Sequence, residues 1–194
     1  MKPPADITPQ QFFETWLPEQ LAGAPPVKPA TMRVRLDGEG GGVWDLVLGP
    51  SGLTVVPGGG TGEAEVTLAQ TVADWRAITV GEPGAVTLAP PQAKPTDILF
   101  LDRAAQQVVA MVKGTIRFEV TGYNGRTWAL IAKLGPGPTP EVADATMSVD
   151  AETYAAILAR VIPPAAAYFQ GKVKIAGDAN LAMQLGMALM PRFS

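Results

Sequence analysis

The chain has 194 residues, of which 47% are hydrophobic, a net charge of -3, and neither histidine nor cysteine. A chain of this length buries roughly 70% of the surface that it exposes when unfolded, so a core forms without a metal or a disulfide. The absence of His and Cys excludes an imidazole base, a thiolate nucleophile and a Cys/His zinc site. The 15 basic residues are scattered, whereas phosphate-backbone binding needs clustered Lys and Arg. We therefore expect no nucleic-acid partner, no metal and no cofactor.

The first half of the chain predicts a helix, a hairpin, a third strand and a second helix. Thr8 caps the first helix, with Pro9 at its first position and Gln11 closing a capping box. Apolar residues then alternate along two strands and share one face of a hairpin, namely Met32, Val34, Leu36, Trp44, Leu46 and Leu48. A third strand leads into a helix capped by Thr71.

The glycine-rich and acidic segments offer no catalytic or metal motif. Gly58 to Gly62 lacks the Gly-Lys-Ser/Thr ending of a phosphate loop and predicts a flexible hairpin connection. Ser51 is not in a hydrolase elbow and has no histidine to activate it. Asp144, Asp150 and Glu152 lack metal-loop spacing, and Asp150 is explained as a helix cap. We predict no catalytic residue and no metal ligand.

The second half repeats the order of the first. Thr31 and Trp44 have counterparts 84 positions later, and the third strand and its helix recur with an offset of 79. A helix over about 97–112 precedes the second hairpin, in which Ile116, Phe118, Val120, Trp128, Leu130 and Ala132 share a face. Taking the Pro-rich residues 90–95 as a linker, we predict a truncated N-terminal unit, 1–95, and a complete C-terminal unit, 96–194.

Only the C-terminal unit continues into a last strand and an apolar helix. Residues 172–176 alternate as a half-buried strand does, Gly177 turns the chain and Asp178 caps the helix. Two apolar stripes lie on nearly opposite sides of that helix: Leu181, Leu185 and Leu189, and Met183, Met187 and Met190. Such a helix must be covered on two faces.

The run from Tyr168 to Asp178, with Leu181-Ala182-Met183 behind it, resembles the sterol carrier protein 2 family. The resemblance covers 97–194 well and 7–90 in part, as an internal duplication. It implies an α+β fold, a mainly antiparallel sheet covered by helices, with an apolar tunnel for fatty acids, fatty acyl-CoA or sterol-like ligands. Family members bind and carry lipids and do not catalyse.

With this family's tunnel in mind, we predict the lining residues. They are Phe118, Trp128, Leu130, Met147, Tyr154, Ile157, Leu158, Tyr168, Phe169, Met183, Met187 and Met190. A core role competes for several of them: the repeat favours packing for Trp128, and the Met stripe faces either a ligand or the N-terminal unit. Lys172 and Lys174 are expected on a solvated strand face.

Our leading hypothesis is a cytoplasmic, non-catalytic lipid-binding or lipid-transfer protein that makes transient membrane contact. The N-terminus lacks a signal-peptide core, and the C-terminus is not a peroxisomal Ser-Lys-Leu address. The alternative is an accessory scaffold for a lipid or quinone biosynthetic enzyme, with its tunnel filled by side chains. A partner enzyme is expected in that case.

Overall fold

The computed structural model describes residues 2–22, 29–89, 107 and 110–185. The predicted linker at 90–95, most of the predicted helix at 97–112, and Met187, Leu189 and Met190 lie outside these residues. The chain opens with α1 (Pro9–Gln11), a π-helix (Phe12–Trp16) and α2 (Leu17–Leu21). The predicted capping box is confirmed, because the Gln11 amide donates to Thr8 and the Gln11 side chain accepts from the Thr8 amide.

The strands and helices that follow keep the predicted order, with two additions. They are β1 (Ala30–Asp37), β2 (Gly42–Gly49), β3 (Gly52–Pro57), β4 (Val66–Thr71), α3 (Val72–Thr79), β5 (Gly114–Tyr123), β6 (Arg126–Leu134), β7 (Ala145–Asp150), α4 (Ala151–Leu158), α5 (Pro164–Phe169), β8 (Val173–Gly177) and α6 (described over 179–185). Thr71 caps α3 and Asp150 caps α4, as predicted. The additions are β3 and α5.

All eight strands form one mixed sheet in the order β3-β2-β1-β4-β6-β5-β7-β8. β1 pairs in parallel with β4 and β5 with β7, whereas the other neighbours are antiparallel. The first half of the chain contributes β3-β2-β1-β4 and the second β6-β5-β7-β8. β4 pairs with β6, so the sheet continues from one half to the other.

The parallel strand pairs have the same register in the two halves, whereas the hairpins have different registers. Met32 lies opposite Val66, and Ile116 lies opposite Ala145, which agrees with offsets of 84 and 79. The hairpins differ, because Trp44 lies opposite Val34 but Trp128 lies opposite Val120. The predicted equivalence of the two tryptophans is therefore wrong by two residues. The tight β5–β6 turn and its irregularity after Val120 shift the second hairpin. An internal duplication stays a prediction.

The glycine-rich segment 58–62 is a crossover and not a hairpin connection. It joins β3 to β4, which lie on opposite sides of the β1–β2 pair. Arg33 holds the segment by donating to the carbonyls of Gly60 and Gly62, and the Gly60 amide donates to Asp45. The Arg33–Asp45 ion pair therefore holds the glycine segment in place as it crosses the sheet. The sequence pattern did not predict this contact.

Helices cover one face of the sheet in both halves. In the first half, the inward residues of β1, β2 and β4 are buried beneath the N-terminal helical segment and α3. In the second half, Leu181 and Leu185 of α6 are buried in the same core. A Cβ at Gly114 would lie 2.8 Å from Leu181, so β5 and α6 approach closely at a glycine. Leu181 and Leu185 of the predicted Leu stripe thus pack against the sheet.

Candidate functional site

A row of four apolar side chains crosses the second half of the sheet on its helical face. Phe118 lies opposite Leu130 on one side and opposite Met147 on the other, and Met147 lies opposite Ile175. All four side chains are half-buried. We call Leu130, Phe118, Met147 and Ile175 the apolar row. Neighbouring strands lie about 4.8 Å apart, so the row is about 14 Å long.

The apolar row lies between two buried clusters. On one side, α6 contributes Leu181 and Leu185 to the main core. On the other, Leu88 and Trp128 belong to a smaller cluster that Tyr154 of α4 packs against. Phe118 and Leu130 contact both clusters, yet neither cluster buries them fully.

The first half of the sheet differs, because its corresponding face is sealed. The inward residues of β1, β2 and β4 are all buried: Met32, Val34, Leu36, Trp44, Leu46, Leu48, Val66 and Leu68. Phe13 stacks on Trp44 at 4.8 Å between ring centroids, and Phe12 lies edge-on to Trp75 at 5.4 Å. This aromatic packing seals β1, β2 and β4, and the half-buried inward residues of this half, Leu53 and Val55, lie on the edge strand β3.

One polar side chain lies at the inner end of the apolar row. The β4–β6 pairing extends to Ala69 and Ile131, and one residue further Gln70 comes level with Leu130. The Gln70 Oε1 atom is buried and has no hydrogen-bond partner among the residues that the structure describes. Sequence reasoning missed this residue, although strand alternation places it on the face of Leu68.

A polar network fixes the wall beside Trp128. Arg126 is paired with Asp74 of α3 and donates to Glu82 at 2.7 Å. Burial acts to raise the pKa of Glu82, but hydrogen bonds from Asn124 and Arg126 hold it below its usual range. The indole of Trp128 donates to the Asp74 carbonyl at 2.8 Å. The network therefore ties α3 of the first half to β6 of the second.

Two tyrosines occupy the smaller cluster with different partners. The Tyr154 hydroxyl donates to the Leu88 carbonyl at 2.6 Å, and burial raises its pKa. The Tyr123 hydroxyl is buried without a hydrogen-bond partner in the described part of the chain, and burial raises its pKa, helped by the negative charge of Glu82. Both hydroxyls stay protonated near neutral pH.

The structure brings some of the predicted lining residues together and separates others. Phe118, Leu130 and Met147 form most of the apolar row. Trp128 is buried with its indole hydrogen-bonded, as a core residue is. Tyr154, Ile157 and Leu158 are half-buried on α4.

The remaining predicted lining residues lie outward or outside the described chain. Tyr168 and Phe169 are exposed at the end of α5, with Phe169 85% accessible. Met183 is 42% exposed. Met187 and Met190 lie outside the described residues.

Two of the three acidic residues singled out from the sequence accept hydrogen bonds that explain them structurally. Asp144 accepts from the Thr115 amide at 2.7 Å, and Asp150 accepts from the amide and hydroxyl of Thr153. Those bonds hold the pKa of Asp150 below its usual value. Within the described residues, no group of three or more acidic side chains is arranged to hold a metal ion. None of the helices in that part of the chain has the length and apolar character to cross a membrane.

A separate pocket of about 510 Å³ lies in the first half of the chain, away from the apolar row. The turn after β1 and the start of α3 line it, with Asp37, Glu39 and Arg76 at its rim. Arg76 is already engaged, because it donates to the carbonyls of Ile7 and Ala5. None of the predicted lining residues lies in this pocket.

A family model described as the SCP-2 sterol transfer family matches residues 96–190. This stretch belongs to the SCP-2 family. The SCP-2 domain thus contains β5 to β8, α4 and α5, and all four side chains of the apolar row. The resemblance drawn from the motif between Tyr168 and Met183 is confirmed.

Two curated relatives and one solved structure illustrate the similarity of the SCP-2 domain. Sterol carrier protein 2 of Homo sapiens is 33% identical over 92 residues, covering 44% of this chain and 17% of that protein. Hydroxysteroid dehydrogenase-like protein 2 of Rattus norvegicus is 32% identical over 89 residues, covering 43% and 17%. The solution structure of palmitated SCP2L2 from Aedes aegypti has a TM-score of 0.35 and 22% identity, covering 50% of this chain and 95% of that one. The matched stretch spans less than a fifth of the two relatives.

Proposed function

We propose that the SCP-2 domain binds an apolar lipid along the apolar row and carries it without catalysis. The observation that carries the proposal is the contrast between the halves of one sheet. Inward side chains of the inner strands β1, β2 and β4 are buried in the first half, where only the edge strand β3 keeps half-buried ones, whereas Leu130, Phe118, Met147 and Ile175 form a half-buried row across four strands of the second. Apolar side chains left open between two cores gain by contact with another apolar surface.

The matching family and the relatives support a lipid as the apolar partner of this row. The matching family is described by sterol transfer, and one relative is a sterol carrier protein. Sixteen-carbon chains gain about 12 kcal/mol on burial at about 0.8 kcal/mol per methylene. After at least about 4 kcal/mol for association, the remainder corresponds to micromolar affinity. We infer fatty acid, fatty acyl-CoA or sterol-like ligands as the class.

A binding experiment with matched variants tests the site. Met147→Gln keeps the side-chain volume but places a carboxamide in the apolar row. The affinity for a fatty acid, measured by displacement of a fluorescent fatty acid, should fall at least tenfold. Leu53→Gln is the control, because Leu53 is half-buried against the same core but lies on β3. Equal affinities of the two variants, or no saturable binding by the wild-type chain, would refute the proposal.

The position of Gln70 at the inner end of the apolar row indicates which polar group the ligand carries at that end. Its unpartnered Oε1 accepts hydrogen bonds, and Arg76 and Arg126, on elements packed nearby, are already engaged. Because those two guanidinium groups are already engaged and an amide oxygen accepts a hydrogen bond but does not donate one, an uncharged hydroxyl fits Gln70 Oε1 better than a buried carboxylate. Gln70→Leu should weaken 1-hexadecanol binding about tenfold and palmitate binding by less than threefold. Equal losses would place the head group elsewhere.

An accessory scaffold is the second candidate function. The sealed first half of the sheet behaves as a filled domain, and the relatives extend well beyond the matched stretch. Under this alternative the chain forms a stable complex with a lipid-modifying enzyme and carries no lipid. Native mass spectrometry of protein purified without detergent distinguishes the two, because only the carrier retains an acyl or sterol mass.

A further inference from the structure

Large apolar side chains project into solvent from the connection between α4 and β8. Phe169 is 85% exposed, Val161 is 74% exposed and Tyr168 is 38% exposed. The rings of Tyr168 and Phe169 lie 5.7 Å apart and form a continuous aromatic surface. With the exposed Arg160, Lys172 and Lys174, these residues are named the basic tip.

The charge around the basic tip is opposite to that of the chain. Residues 153–177 contain three basic residues, Arg160, Lys172 and Lys174, and no Asp or Glu. The whole chain has a net charge of -3. Lys172 and Lys174 are exposed, so their ammonium groups reach solvent. A segment that carries only basic charges together with exposed aromatic rings is typical of proteins that dock on anionic membranes.

A helix-terminating motif fixes the aromatic side of the basic tip. α5 begins with Pro164 and buries Ala167, which leaves the rings at its end outside the core. Gly171 adopts a positive φ of 70°, and the Lys172 amide donates to the Ala167 carbonyl at 2.9 Å. This pattern is a Schellman motif, which usually brings an apolar residue onto the helix end. Here Lys172 takes that position and keeps the tip positive.

The same motif ends α4 on the other side of the basic tip. The Val161 amide donates to the Ala156 carbonyl at 2.9 Å, with Arg160 at the left-handed position. Arg160 has a φ of 59°, a conformation in which glycine is usual. A cation at a helix C-terminus complements the helix dipole. The dipole does not account for the exposure of Val161 and Phe169.

We propose that the basic tip is a docking surface for an anionic lipid bilayer. Phe169 and Val161 enter the acyl boundary, Tyr168 lies at the headgroup level, and Arg160, Lys172 and Lys174 contact the phosphates. The tip leads directly into β8, where Ile175 ends the apolar row. Docking therefore brings the open end of that row to the membrane. The proposal rests on the exposed surface and its charge, and not on the ligand proposed above.

Vesicle cosedimentation of the full chain tests the docking surface. We expect binding to vesicles of phosphatidylcholine mixed with phosphatidylglycerol, little binding to phosphatidylcholine alone, and release by added salt. Phe169→Ser should lower the partition coefficient at least tenfold. Lys172→Glu removes one attractive charge and adds one repulsive charge, each worth about fivefold, for about 25-fold in total.

Two control variants distinguish docking through the basic tip from nonspecific adsorption to vesicles. Val142→Ser changes a side chain that is 80% exposed but lies beside Glu141, and Lys2→Glu reverses an exposed charge far from the tip in sequence. Both should leave vesicle binding within twofold of wild type, and circular dichroism should show all four variants folded. The proposal is overturned if Phe169→Ser and Val142→Ser bind alike. It is also overturned if the wild-type chain ignores anionic vesicles, or forms a dimer that Phe169→Ser dissociates.

Loss of docking and loss of ligand binding are separate outcomes. Phe169→Ser should leave displacement of the fluorescent fatty acid from detergent-free protein unchanged, because Phe169 lies outside the apolar row. It should slow transfer of the same probe from anionic vesicles. Met147→Gln should show the reverse pattern, with normal vesicle binding and weak displacement.

Discussion

Replacing Arg126 with methionine removes the ionic contact that joins the two halves of the chain. The side chain of Asp74 is 8% exposed and that of Glu82 is 23% exposed, so both carboxylates lose a partner in a poorly solvated place. Breaking a fully buried pair costs about 3–5 kcal/mol. Because Arg126 is itself 34% exposed, water reaches part of the network, and we expect a loss of about 2–3 kcal/mol. That loss lowers Tm by about 4–12 °C in a chain of this size.

Urea unfolding measures the loss directly. Arg126→Met should lower the midpoint without changing the m value, because the surface exposed on unfolding stays the same. Arg35→Met is the matched control, since Arg35 and its partner Asp37 are 45% and 60% exposed and should contribute less than about 0.5 kcal/mol. Equal midpoints for the two variants would refute the idea that this contact holds the halves together.

Three further predictions concern stability. Burial acts to raise the pKa of the Asp45 carboxyl, but hydrogen bonds from Arg33 and from the Gly60 amide lower it more. Asp45 therefore contributes fully to the free energy of unfolding above pH 3.8, the ordinary pKa that it has in the unfolded chain. That contribution vanishes as the pH falls through the lower pKa of the folded state. Unfolding free energies of wild type and Asp45→Asn should therefore differ at pH 7 and converge in acid. Tyr154→Phe leaves the Leu88 carbonyl unpaired and should cost about 1–2 kcal/mol by urea denaturation. Gly177→Ala forces a side chain at φ 78° and a Cβ 2.3 Å from a backbone oxygen, so thermal unfolding should show a loss of roughly 2–4 kcal/mol, and an unchanged Tm would contradict the geometry.

Local signals in the sequence predicted the fold where chemistry is local. The cap residues Thr8, Thr71 and Asp150 identify helix starts because each accepts a hydrogen bond from an amide three residues away. Alternation predicted the inward faces of the hairpins because side chains in a strand point to opposite sides. Pro164 followed by three alanines is likewise a local helix-start signal, and it accounts for α5.

Features that depend on distant partners were not predictable in this way. The pairing of β4 with β6 depends on which strands meet, and no residue in either strand specifies that choice. The register of Trp128 depends on an irregularity after Val120 that alternation does not encode. The exposure of Phe169 and the burial of Gln70 Oε1 follow from packing, so a list of apolar residues groups Phe169 with the lining and omits Gln70.

The pairing of β4 with β6 bears on how the SCP-2 domain is handled as an isolated fragment. Without the preceding half of the chain, β6 becomes an edge strand whose amides and carbonyls face water along the Ile131 to Leu134 stretch. An unprotected edge is a template for pairing with another copy. The first half of the chain then serves as a cover against self-association. Weak ligand binding by an excised 96–194 fragment would report an aggregated sheet rather than a missing pocket.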